Sequence, residues 1–203
     1  MTNNAAAGAQ PHALPEIVNT FRAPNYHRGR MGLPILFYVR HNTETAAGNT
    51  SNAPSLLWFL NRASGVSIHH LIGRDGTRYD LVQRIDTAYH CGDATWGGVT
   101  GSMNGIGRLN LQSIGTEYES SSTAADPGDS YTDEQLWTGA YTEACSLLSY
   151  AGLEAVDHRQ IAQPPGRRHD PSHFPLETHT RYLNAWLLFL KSVPDAERWR
   201  YFL

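Results

Sequence analysis

The chain has 203 residues, enough for one sizeable domain and little more. Net charge is -3 and Lys191 is its lone lysine, so nucleic acid is not expected as the partner, because phosphate binding calls for a basic surface. Two cysteines are too few for a disulfide framework, no apolar run reaches the roughly 20 residues that span a bilayer, and the N-terminus has neither the basic start nor the apolar core of a signal peptide.

Residues 1–20 begin rich in Ala, Asn and Gly and lack periodicity, which predicts a flexible N-terminal arm ahead of one folded domain over 21–203. LPILFYVRH (33–41) is a continuous apolar run and predicts a buried strand ending at His41. SLLWFLNR (55–62) predicts a short helix. SIHHLI (67–72) and TRYDLVQ (77–83) flank Asp75-Gly76 and predict a hairpin, since Gly tolerates positive φ. Residues 86–112 carry many Gly and Asn and predict a long surface loop, of the kind that is usually functional. QSIGTEYES (112–120) predicts a strand. Thr132 and Gln135 fit a capping box that opens a helix running to about Tyr150. LEAVDH (153–158) predicts a strand ending at His158, and a loop dense in Pro, Arg and His follows to 175. Residues 176–193 predict an amphipathic helix, with a short terminal one after it. Strands and helices interleave, so the fold class is α/β: a single domain with a central mixed β-sheet flanked by helices.

Ten histidines are the outlying count, and histidine is both the neutral-pH proton carrier and the commonest metal ligand. His41 and His158 at strand ends, with Asp170 in the following loop, make a familiar catalytic zinc set. Taken alone, a histidine at a strand end is more often a hydrogen-bonded structural residue than a metal ligand. Glu117 is either a partly desolvated base or an edge-strand carboxylate facing water. The triplet Arg167-Arg168-His169 could hold an oxyanion or be a solvated loop. No G-x-S-x-G elbow and no P-loop are present. Cys91 beside His90 is a poor thiol nucleophile, because neighbouring residues on a strand face opposite ways.

In order along 33–171 stand Val39-Arg40-His41-Asn42-Thr43, then Ser67-Ile68-His69-His70 running into Arg74-Asp75-Gly76, then Tyr89-His90-Cys91-Gly92. Asn110-Leu111-Gln112-Ser113-Ile114-Gly115-Thr116-Glu117 comes next, then Asp157-His158-Arg159, and finally Arg168-His169-Asp170-Pro171. This succession resembles the zinc-dependent N-acetylmuramoyl-L-alanine amidases of the type-2 amidase and peptidoglycan-recognition family, and within it the phage endolysins.

The resemblance implies that 21–203 is an amidase catalytic domain. It implies that His41, His158 and Asp170 hold Zn2+, with His169 or His173 as substitutes for Asp170. It further implies that Glu117 is the general base, that Arg168 holds the oxyanion where the family has lysine, and that His90 and Asn110 line the substrate groove. Ile68 stands where some branches carry a catalytic tyrosine, so the chain aligns with the glutamate-dependent branch, and His69 and His70 read as structural or groove residues. The implied reaction cuts the amide between N-acetylmuramic acid and L-alanine of the stem peptide in bacterial peptidoglycan. The expected setting is a monomeric endolysin made in the cytoplasm and acting on the wall after release, without membrane insertion. A cytoplasmic wall-recycling amidase and a non-catalytic peptidoglycan-binding module are the alternatives.

Overall fold

The apolar runs of the sequence become the inner strands of a mixed sheet, and the polar runs between them become the connections that build its upper rim. In the computed structural model, residues 13–45, 53–127 and 131–202 are described. In chain order the elements are β1 (Ile17–Val18), β2 (Tyr26–His27), β3 (Phe37–Asn42), α1 (Ala53–Leu60), β4 (His70–Ile72) and β5 (Arg78–Asp80). They continue with β6 (Thr87–Ala88), β7 (Ser102–Met103), β8 (Ile106–Gly107), α2 (Arg108–Leu111), β9 (Ser113–Tyr118) and α3 (Asp133–Ser149). The C-terminal part holds β10 (Glu154–Asp157), α4 (His158–Ile161), α5 (Leu176–Ser192) and α6 (Asp195–Arg198).

Among the described residues, six strands form the main sheet in the order β1-β5-β4-β9-β3-β10. β4, β9, β3 and β10 run parallel, and only the β4–β5 hairpin is antiparallel. The fold is a single α/β domain, as the interleaved pattern predicts. The hairpin turns at Gly76, whose φ of 83° suits a residue without a side chain.

One sheet face is covered by α3 and α5. There Tyr118, Leu136, Trp137, Tyr141, Tyr182 and Trp186 pack into the largest apolar cluster. Charge is buried on this face as well: Arg40 donates to Asp157 (Nε to Oδ1, 2.9 Å) and to Glu143 (Nη1 to Oε2, 3.2 Å), tying β3, β10 and α3 together. The other face packs Phe37 and Val39 against Cys91, Leu109 and Ile161. No helix among the described residues is long and apolar enough to cross a membrane.

Four local expectations change. Residues 1–12 lie outside the described residues, but Ile17 and Val18, inside the expected arm, pair with Arg78 and Tyr79 at the sheet edge. Residues 86–112 are not one loop: they hold β6, the β7–β8 hairpin and α2. Thr132 does cap α3, accepting from the Gln135 N–H at 3.1 Å. The Gln135 side chain instead donates to the Ile72 and Glu119 carbonyls at 3.0 and 2.8 Å, satisfying backbone that the sheet leaves open. Finally, His158 does not end a strand. β10 stops at Asp157 and His158 begins α4, whose first turn is closed by the Gln160 side chain accepting from the Asp157 N–H at 2.7 Å.

Candidate active site

Parallel strands end on one rim, and in α/β sheets that rim is where sites are built. Here β3 delivers His41 and β9 delivers Glu117, paired in register with each other. β10 hands over to α4, which delivers His158. Asp170 returns to this rim because two tethers hold its loop. The Arg159 N–H donates to the Asp170 carbonyl at 2.8 Å, and the Ser172 N–H donates to Asn42 Oδ1 at 2.8 Å. Asn42 in turn donates to the Ser122 carbonyl at 2.9 Å.

His41, His158 and Asp170 are all buried, and one ligand atom of each lies within 4.8 Å of the others. The Asp170 Oδ2 atom is 3.2 Å from His41 Nδ1 and 2.8 Å from His158 Nδ1. His158 Nε2 lies 3.0 Å from the Cys91 carbonyl, which accepts only, so Nε2 carries the proton and Nδ1 presents a lone pair to the carboxylate. A lone pair facing an acceptor-only carboxylate in a buried site needs a cation between them, a proton or a metal ion. The donor set, two imidazoles and one carboxylate, is that of a catalytic zinc centre with an open fourth position. The residues present therefore fit the ion.

These three residues line a groove of about 440 Å3 with Glu117, His90, Tyr89, Trp58 and Arg168. His169 and His173 are exposed, while Asp170 faces His41 and His158. Asn110 is elsewhere: it lines a neighbouring pocket that includes Gly107 and Gln163, and its Oδ1 accepts from the backbone N–H groups of His90 and Cys91 at 3.1 and 2.9 Å.

A family described as N-acetylmuramoyl-L-alanine amidase matches residues 31–173, most of the chain and every residue above. The chain belongs to that family. It is a peptidoglycan amidase. A selenomethionine AmpD derivative has the same fold (TM-score 0.61, 24% identity, 85% of this chain and 96% of that one). So does the Ph2119 endolysin from a Thermus scotoductus bacteriophage (TM-score 0.57, 15% identity, 83% and 99%). AmiD from E. coli, in complex with the substrate anhydro-N-acetylmuramic acid-L-Ala-D-gamma-Glu-L-Lys, aligns at a TM-score of 0.55 with 22% identity over 79% of this chain and 64% of that one. No curated protein matches the chain.

The electrostatics of the amidase rim differ from group to group. Burial pushes the Glu117 carboxyl well above its usual range, and nearby Asp170 adds to the rise. Glu117 is not on an edge strand: β9 is flanked by β3 and β4, so the water-facing reading fails. Burial also opposes ionisation of Asp170, but the His158 and His41 imidazoles set against its carboxylate outweigh it and hold the carboxyl well below its usual range. Burial drops His41 to about 4. Arg167 is tied down by donating to the Gln163 and Asp93 carbonyls at 2.6 and 2.7 Å, whereas Arg168 is exposed at the groove. The Cys91 sulfur does come within 3.5 Å of His90 Nδ1, but burial pushes its thiol up to about 12, so it stays protonated and inert.

Sequence reasoning missed two positioning residues. Asn42 follows His41 directly and tethers the Asp170 turn. Arg40 precedes it and anchors β3 to Asp157, the residue before His158. Their contacts lie 130 and 117 residues away in the chain, beyond the reach of any local pattern.

Proposed function

We propose that this amidase is a zinc hydrolase that cuts the amide between N-acetylmuramic acid and L-alanine of the stem peptide. The single observation that carries the reading is the meeting of two imidazoles and a carboxylate, from His41, His158 and Asp170, beside the buried carboxyl of Glu117. His41, His158 and Asp170 would hold the ion. When bound, zinc polarises the scissile carbonyl and lowers the pKa of water to about 7.

Glu117 takes a proton from the attacking water and returns it to the departing L-alanine amine. Its raised pKa suits both halves of that task, because a carboxyl that holds protons more tightly is a better base and is still able to give the proton back. Arg168, an exposed cation lining the groove, stabilises the oxyanion. His90 borders the groove behind His41, and Asn110 acts on substrate only through the loop it holds. Every residue proposed for the reaction comes from one chain, so a single copy suffices.

The test is digestion of purified sacculi followed by mass spectrometry. Free stem peptides beginning with L-alanine, with intact glycan strands, are expected; new reducing ends would overturn the reading. The same experiment separates the two settings. Attack on intact sacculi supports the endolysin reading drawn from the sequence resemblance. Attack confined to soluble wall fragments supports recycling.

A further inference from the structure

We propose that His90 and Ser113 form a positioning relay that locks His41 in the tautomer offering Nδ1 to the metal, and that this relay sets the affinity of the site for zinc. The inference rests on the zinc reading above and extends it beyond the three ligands.

The relay follows from donors and acceptors alone. It starts at the Leu109 carbonyl, which can only accept. Ser113 Oγ lies 2.6 Å from it, so the hydroxyl proton is committed there. The same oxygen is 3.1 Å from His90 Nε2 and can now only accept, so Nε2 carries the hydrogen. A neutral imidazole has one N–H, which leaves His90 Nδ1 as an acceptor. His41 Nε2, 3.0 Å away, must then donate to it. His41 Nδ1 is left bare and faces Asp170 Oδ2. On the other arm the Cys91 carbonyl does the same for His158 in one step. The His41 arm takes two side chains to reach its backbone anchor.

The surrounding chain makes room for the relay and holds it. A Cβ on Gly115 would sit 2.6 Å from His90 Nδ1, so the Gly of Ser113-Ile114-Gly115 is what lets the ring lie against β9. Asn110 fixes the backbone on both sides of His90, its Oδ1 accepting from the His90 and Cys91 N–H groups. Ser113 and Cys91 are fully buried, so the hydroxyl has no competing solvent. Groups that orient a metal-binding histidine typically change metal affinity by 10–100-fold when removed.

The experiment compares wild type, Ser113→Ala and Ser113→Thr by chelator competition for zinc. Alanine should weaken zinc binding about 10–100-fold, and threonine, which keeps the hydroxyl, should restore most of it. Thermal unfolding of the metal-free proteins checks that each variant folds. Independently of any variant, imidazole 15N NMR of the zinc-loaded wild type should show His90 protonated at Nε2 and His41 at Nε2. Unchanged zinc affinity in Ser113→Ala, or a His90 ring protonated at Nδ1, would overturn the relay while leaving the zinc site standing. Equal zinc content in wild type and His41→Ala would overturn the zinc reading itself and the relay with it.

Discussion

Arg168 is the residue at which this chain departs from the lysine its resemblance leads one to expect, and the two cations are not equivalent. Guanidinium keeps its charge but is planar and bulky, and it offers a fork of donors where ammonium offers a compact point. At an exposed groove mouth there is space for either. Arg168→Ala should therefore lower kcat about 10²–10³-fold, the usual cost of losing one oxyanion donor, with much less change in KM. Arg168→Lys should recover most of the rate; equal activity in all three proteins would remove Arg168 from the reaction. Glu117→Gln removes the base while keeping the shape. It should retain zinc and lose about 10²–10⁴ of the rate of digestion. In the metal-free protein burial raises the Glu117 pKa, so 13C NMR of its side-chain carboxyl should show a titration midpoint above the usual 4.5. A midpoint at or below that value would show that water reaches the carboxyl despite its burial.

Elements follow the same logic of local preference against tertiary demand, and α3 is the sharpest case. Gly139 sits in its middle, where Gly costs about 1 kcal/mol relative to Ala. Yet a Cβ there would lie 2.1 Å from the Tyr118 hydroxyl, within the helix-to-sheet contact. Gly139→Ala should accordingly destabilise the fold by about 1–3 kcal/mol through overpacking, read as a lower urea midpoint; a stabilised variant would mean Tyr118 moves aside freely. The elements most legible in the sequence were those with strong periodicity or a cap: the run ending at His41, the hairpin at Gly76, and α3 with Thr132. The misplaced ones had short or ambiguous signals. Ile17–Val18 is too brief for alternation to register. His158 follows an apolar strand, so it reads as its last residue, although Asp157 and Gln160 already carry the spacing of a capping box. The metal-type triad was legible only because its pieces recur in order. What joins them, Asn42, Arg40 and the relay through Ser113, depends on contacts between distant segments and has no signature along the chain.

At the scale of the whole molecule, each apolar face of the sheet also carries buried polar groups: the site lies on one, and an ionic network lies on the other. Arg40, Glu143 and Asp157 are each almost fully buried, and His179 of α5 lies against them, 3.7 Å from Glu143 Oε2. Removing one partner of such a network is costly, because the other charge stays buried without compensation. Burial, reinforced by the Arg40 charge, lowers the His179 pKa to about 3. Above pH 6.5 neither the folded nor the unfolded chain protonates this ring, and its contribution to stability is complete. As pH falls from 6.5 towards 3, the unfolded chain binds a proton that the folded protein refuses, so stability is lost across that window. By pH 5.0 the loss from this one residue amounts to about 2 kcal/mol, at 1.36 kcal/mol per pH unit. Glu117, Glu119 and Glu143 have raised pKa values and act in the opposite sense, so the total slope mixes both kinds of group. A difference measurement isolates the histidine. Urea unfolding of metal-free wild type and His179→Gln at pH 7.5 and 5.0 should show the wild type losing about 2 kcal/mol more than the variant over that interval. Parallel curves would mean that the folded protein takes up the proton after all, and that the network beneath α5 opens to admit it.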